Sequence, residues 1–173
     1  MSKKTNPKTK LKLNRKNLAL ILLLLFAMLS FGSCGQDSGA KDGAVETTCT
    51  VQINCSLLLD KDLKGTGLET LVPANGVILD TTKVSIKPGD TVYDVTLKIT
   101  KEQKIHMESE GSQAMGNLYV AAIANIYEKT YNSKSGWVYL INGSQPGIGS
   151  GLQELKAGDQ LVWAYSLDMG NDL

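Results

Sequence analysis

Three residue types are scarce in this sequence, and each scarcity closes off a chemistry. There is one histidine, His106. A Ser-His-Asp or Cys-His catalytic arrangement would have to be built on it, and no nucleophile-elbow pattern accompanies it. The expected role of His106 is a solvated or hydrogen-bonded side chain on a strand, and no enzymatic activity is expected. The only arginine is Arg15. There are three cysteines, Cys34, Cys49 and Cys55. One histidine and two thiols make a poor transition-metal set, and no metal is expected.

Long apolar runs are also rare, with one exception. Leu18 to Leu29 read LALILLLLFAML. As a helix this run rises about 18 Å, well short of the roughly 30 Å hydrocarbon core of a bilayer. Lys3, Lys4, Lys8, Lys10, Lys12, Arg15 and Lys16 precede it with no acidic residue. A basic head and a short apolar body followed by small residues have the form of a secretion signal, here residues 1–33. The run ends in Phe31-Gly32-Ser33-Cys34. This stretch resembles the lipobox of bacterial lipoproteins, although Phe31 stands where an aliphatic residue is usual. The resemblance implies a diacylated Cys34 that holds the protein on the outer face of a bacterial cell membrane. Each buried methylene of such an anchor contributes about 0.8 kcal/mol, and two chains anchor firmly where one does not. Residues 34–47 are polar, with few bulky apolar side chains, and are expected to form a flexible tether.

Removal of the signal changes the charge. Seven of the 18 basic residues lie in residues 1–33, and none of the 17 acidic ones does. The remainder is acidic and lacks arginine, which argues against a nucleic-acid partner.

Residues 48–173 are long enough for one compact domain. Thr48 to Leu59 alternate with period two, so Cys49, Val51, Ile53 and Cys55 share one face of a strand. Cys49 and Cys55 are expected as buried free thiols. About 20 Å of straight strand would separate their Cα atoms, against under 7 Å in a disulfide, so a 49–55 bridge requires a sharp turn. VILDTTKVSIKPGD reads as two short extended pieces ending in a turn. DTVYDVTLKITKEQKI fits strand alternation and also a helical face. Thr91 followed by Asp94 resembles a capping box, and we assign a helix over 91–103. IHMESE is a short strand candidate. GWVYLING and QLVWAYSL are the strongest strands, apolar on both faces, and are expected to be central and covered on two sides, or to have one face on a ligand. Asn142-Gly143 signals a tight turn.

Three motifs imitate chemistry without supporting it. DKDLKGTGLETL resembles a calcium loop, but Lys64 and Leu71 occupy ligand positions. Gly147, Gly149 and Gly151 resemble a phosphate loop but open no helix. Glu108 and Glu110 lie on one strand face and are expected to be solvated rather than an acid/base pair.

LVPANGVILD, GDTVYDV, KEQKIHMES, SGWVYLING and LKAGDQLVWAYSLDMGNDL occur in this order. Together they resemble the transcobalamin-like C-terminal domain family over residues 48–173. The resemblance implies an α+β fold, a β-grasp-like curved mixed sheet packed on one main helix. It makes YVAAIANIYEKTY a strand pair with a turn. It also implies a soluble small-molecule ligand, cobalamin or another corrinoid. In the animal carriers a larger helical domain covers the other side of the ligand. None is encoded here, so binding is expected to be weak or to need a second surface protein. Many members carry a cysteine pair near the positions of Ser150 and Ser166, which leaves the loop 145–151 without that bridge. The expected ligand-binding residues are Tyr119, Trp137, Tyr139, Asn142, Gly143, Gln145 and Pro146. Trp137 and Tyr139 read equally as core aromatics. The alternative function is a protein-protein or cell-wall interaction module with no small-molecule ligand.

The anchor is testable in cells fed a fatty-acid probe. Wild-type protein should take up the label and Cys34→Ala should not; equal labelling of the two would refute the lipobox.

Overall fold

The computed structural model describes residues 47–173. The signal, Cys34 and the tether up to residue 46 lie outside the described residues.

Among the described residues, seven strands and one α-helix follow in the order β1 (Thr48–Asn54), β2 (Val77–Ser85), α1 (Val92–Glu102), β3 (Met107–Glu110), β4 (Tyr119–Ile123), β5 (Ile126–Tyr127), β6 (Gly136–Ile141) and β7 (Gln160–Ser166). They form two sheets around one helix. A four-stranded mixed sheet has the order β2-β1-β7-β6, and a three-stranded antiparallel sheet has the order β3-β4-β5. β1 and β7 run parallel, and every other pairing is antiparallel.

The α+β class, the helix, the β3 strand and the β4–β5 pair agree with the sequence reading. Three expectations are corrected. The sheet is not one curved layer, because β6 pairs only with β7 and β4 pairs only with β3 and β5. VILDTTKVS is one nine-residue strand rather than two pieces, with the break absorbed as register shifts opposite Val51 and Ile53. Of the two segments expected to be central, QLVWAYS is interior, beside β1, and GWVYLI is an edge strand. Its second apolar face misled the periodicity, because Val138, Leu140 and Val162 are only partly buried on the outer side of the sheet.

The inner face carries the core. Register pairs Ile53 with Trp163 and Val51 with Leu161 on one side of β7. On the other side it pairs Trp137 with Tyr165 and Tyr139 with Trp163. Period-two geometry puts all of these on one face, which packs against α1. Cys49 and Cys55 lie on it too, as free, buried thiols. Burial pushes the Cys55 thiol up to about 11 and also raises that of Cys49.

α1 is fixed at its start by a full capping box. The Thr91 hydroxyl accepts from the Asp94 N–H at 3.2 Å, and Asp94 accepts from the Thr91 N–H at 3.0 Å. Val92, Val95, Thr96, Ile99 and Thr100 form its buried stripe. Two threonines are tolerated there because each hydroxyl donates to a carbonyl one turn back, Thr96 to Val92 at 2.6 Å and Thr100 to Thr96 at 2.8 Å. Thr96 also accepts the Trp163 indole N–H at 2.8 Å, which bonds helix to sheet inside the core.

Thr96→Val keeps the shape and strands that indole N–H. The expected loss is about 1–3 kcal/mol of unfolding free energy in urea titration, and an unchanged midpoint would contradict this role.

Candidate functional site

The site is built by one turn and the loop that follows it. At the end of β6 the chain reverses over Asn142 (φ 52°) and Gly143 (φ 79°), both left-handed, as a two-residue hairpin turn requires. Ile141 and Ser144 exchange main-chain hydrogen bonds of 2.9 and 3.0 Å across it. Asn142 is further pinned. Its side chain donates to Asp159 at 2.9 Å and accepts from the Gln160 N–H at 2.9 Å.

The turn sends residues 145–150 back beside β6. Gly149 meets the chain before β4, where even a Cβ would lie 3.2 Å from the Gly116 carbonyl oxygen. The Tyr139 hydroxyl donates to the Ile148 carbonyl at 2.8 Å, and the Gln145 amide donates to the Gly170 carbonyl at 2.7 Å. Between loop and strands remains a cavity of about 220 Å³. Leu118, Tyr119 and Val120 line one side, Trp137, Val138 and Tyr139 the other, with Gln145–Ser150 as the lid and Trp163 also in the wall. A second hollow of about 160 Å³ shares Tyr119, Val120, Trp137 and Val138 and continues toward Met169. The two hollows make one groove along β6.

Of the expected ligand residues, Tyr119, Trp137, Tyr139, Gln145 and Pro146 line this cavity. Asn142 and Gly143 do not; they form the turn, which is the structural role their left-handed angles demand. Trp137 and Tyr139 are core residues and cavity wall at once. Both are buried, with ring contacts to Tyr165 and Trp163 at 5.3 and 5.5 Å. Sequence reasoning missed Leu118, Val120, Ile148, Ser150 and Trp163. The GIGSG segment, set aside as a phosphate loop, lines the cavity through Gly147, Ile148, Gly149 and Ser150. The Asn-Gly turn so close behind β6 was the available signal, because it returns the next residues along the strand it ends.

Polar detail is sparse. The Ser150 hydroxyl is buried with no hydrogen-bond partner. Ser166 holds the C-terminal turn, donating to Asp172 at 2.5 Å and accepting from the Gly170 N–H at 2.6 Å. Outside the cavity, Tyr119 donates to Glu110 at 2.9 Å, and that bond, with burial and the Glu128 charge, pushes its phenol up to about 12. Tyr127 donates to Glu108 at 2.7 Å and is the main cause of that carboxyl's lowered pKa. Glu108 and Glu110 are therefore exposed acceptors with tyrosine partners.

The mimic motifs resolve in the same way. Asp62 caps the Lys64 N–H at 3.1 Å and Glu69 the Gly65 N–H at 2.5 Å, so two of the three carboxylates of the would-be calcium loop are spent on its own main chain. Among the described residues no group of three or more His, Cys, Asp or Glu side chains is placed to hold a metal. His106 lies 3.1 Å from Glu108 through Nε2.

A family model described as a domain of unknown function, DUF4430, matches residues 89–166. That span runs from the turn before α1 to the end of β7 and contains every residue lining the larger cavity. No curated protein matches the chain. Among solved structures, haptocorrin in complex with Cbi is similar at 17% identity and a TM-score of 0.47. The similarity covers 70% of this chain and 25% of haptocorrin, so the chain corresponds to a quarter of that protein. A Ruminococcus gnavus ATCC 29149 protein, provisionally assigned as metal binding, is similar at 10% identity and a TM-score of 0.41, over 70% of this chain and 97% of its own.

Proposed function

We propose that this protein is a non-catalytic binding module with β-grasp kinship, held by a lipidated Cys34 on the outer face of a bacterial membrane, and that the groove between β4 and β6 is its ligand site. The observation that carries the reading is the groove itself: an apolar, aromatic-walled hollow between two sheets, closed on one side by a loop on a rigid frame. Its surroundings offer no nucleophile with an adjacent base.

At about 220 Å³ the cavity is smaller than the roughly 300–1,000 Å³ that encloses a drug-sized ligand. A ligand as large as a corrinoid would place one edge in it and leave the rest outside. Weak binding, or completion by a second surface protein, follows from that partial burial. Cobalamin is the ligand class to test first, on the resemblance of the sequence to the transcobalamin-like domains.

A second reading, docking of another protein, is favoured by the rim. Met115 is 77% exposed and Met169 71%, with Ile148 and Leu152 also exposed. Leu152 packs over Gly116, next to Met115, and Ile148 lines the cavity, while Met169 ends the second hollow. Exposed apolar residues ringing a groove are a mark of interaction surfaces.

The chain has two tryptophans, and both line the cavity. Titrating residues 35–173 with cobalamin should therefore give a saturable change in tryptophan fluorescence, matched by heat. Absence of both at high-micromolar cobalamin would remove the corrinoid reading.

A further inference from the structure

The polar groups around the larger cavity are nearly all committed elsewhere. None of its lining side chains carries a charge. The Trp137 indole N–H donates to the Ile126 carbonyl at 2.7 Å, and the Trp163 indole N–H to the Thr96 hydroxyl at 2.8 Å. The Tyr119 hydroxyl donates to Glu110 at 2.9 Å, and the Tyr139 hydroxyl to the Ile148 carbonyl at 2.8 Å. The Gln145 amide donates to the Gly170 carbonyl at 2.7 Å.

Ser150 is the exception. It lies in the cavity wall at 3% exposure, and its hydroxyl has no hydrogen-bond partner. Its carbonyl accepts from the Tyr93 N–H at 3.0 Å, which holds the residue against the first turn of α1. A buried hydroxyl left unpaired is costly, and such a group calls for something that completes it. A buried water needs two to four polar partners, and the other polar side chains of this wall already spend their donors.

We propose that the cavity takes a compact, uncharged aromatic molecule whose single polar group bonds to the Ser150 hydroxyl. This deepens the ligand-site reading of the groove and rests on it. Each property of the ligand follows from the wall. It is uncharged because no opposite charge lines the cavity, and an unpaired ion is costly to bury. It is aromatic because Trp137, Tyr139 and Trp163 offer ring partners among aliphatic neighbours. It is compact because the cavity holds about 220 Å³, where a dry cavity of about 150 Å³ accommodates benzene. One substituted ring fills such a space. It carries one polar group because one polar side chain is left to meet it.

Phenol and toluene, which differ by a hydroxyl in place of a methyl, are the probes. Each is titrated by NMR into the full chain and into its Ser150→Ala variant, with the two tryptophan indole N–H signals as reporters. Both probes should shift both signals. The ratio of phenol to toluene affinity should fall by about tenfold in the variant, the factor that about 1.4 kcal/mol represents. The urea midpoint of the ligand-free variant should be no lower than that of the wild type, because the hydroxyl bonds nothing in the free protein. An equal affinity ratio in the two proteins would overturn the proposal and leave the groove as a ligand site. A lowered midpoint would show that the hydroxyl already has a partner, and would also overturn it. No shift from either probe would remove the ligand-site reading and this proposal together.

Discussion

The indole N–H of Trp137 donates to the main-chain carbonyl of Ile126 at 2.7 Å, and both groups are buried. This bond joins the edge of one sheet to the last strand of the other without pairing their backbones. Strands bonded directly to each other lie about 4.8 Å apart and leave no space between them. A bond through an aromatic side chain joins the sheets with no main-chain ladder between β5 and β6. Tyr165 secures the same junction, donating to the Tyr127 carbonyl at 2.7 Å and meeting the Ser135 hydroxyl at 3.0 Å. The groove is therefore a consequence of how the two sheets are joined, and its walls are part of the core.

That arrangement decides which parts of the site are stiff. The floor is formed by side chains that also hold the fold together, so its shape is set before any ligand arrives, which lowers the cost of binding. The lid is tied down by Tyr139 to Ile148, by Gln145 to Gly170, and by the Tyr93 N–H to the Ser150 carbonyl at 3.0 Å. Neutral hydrogen bonds of this kind contribute about 0.5–1.5 kcal/mol each.

Much of the fold was legible because its signals are local. The Thr91–Asp94 capping box located α1, alternation located β1, the two-sided apolar run QLVWAYSL located β7, and Asn142-Gly143 located the turn. The division into two sheets was not legible. It depends on whether β6 bonds to β4, and nothing in the alternation of either strand says which edge meets which. The same limit applies to the site. Trp137, Tyr139, Gln145 and Pro146 are close in sequence and could be grouped by inspection. Leu118, Val120 and Trp163 join them only through tertiary packing.

The central claim is that the buried bond from the Trp137 indole to the Ile126 carbonyl joins the two sheets and sets the groove wall. Trp137→Phe keeps a ring and removes the donor, so urea unfolding of the variant tests it most directly. The account predicts a loss of about 1–3 kcal/mol, because the buried carbonyl is left without its partner. An unchanged unfolding midpoint would contradict it.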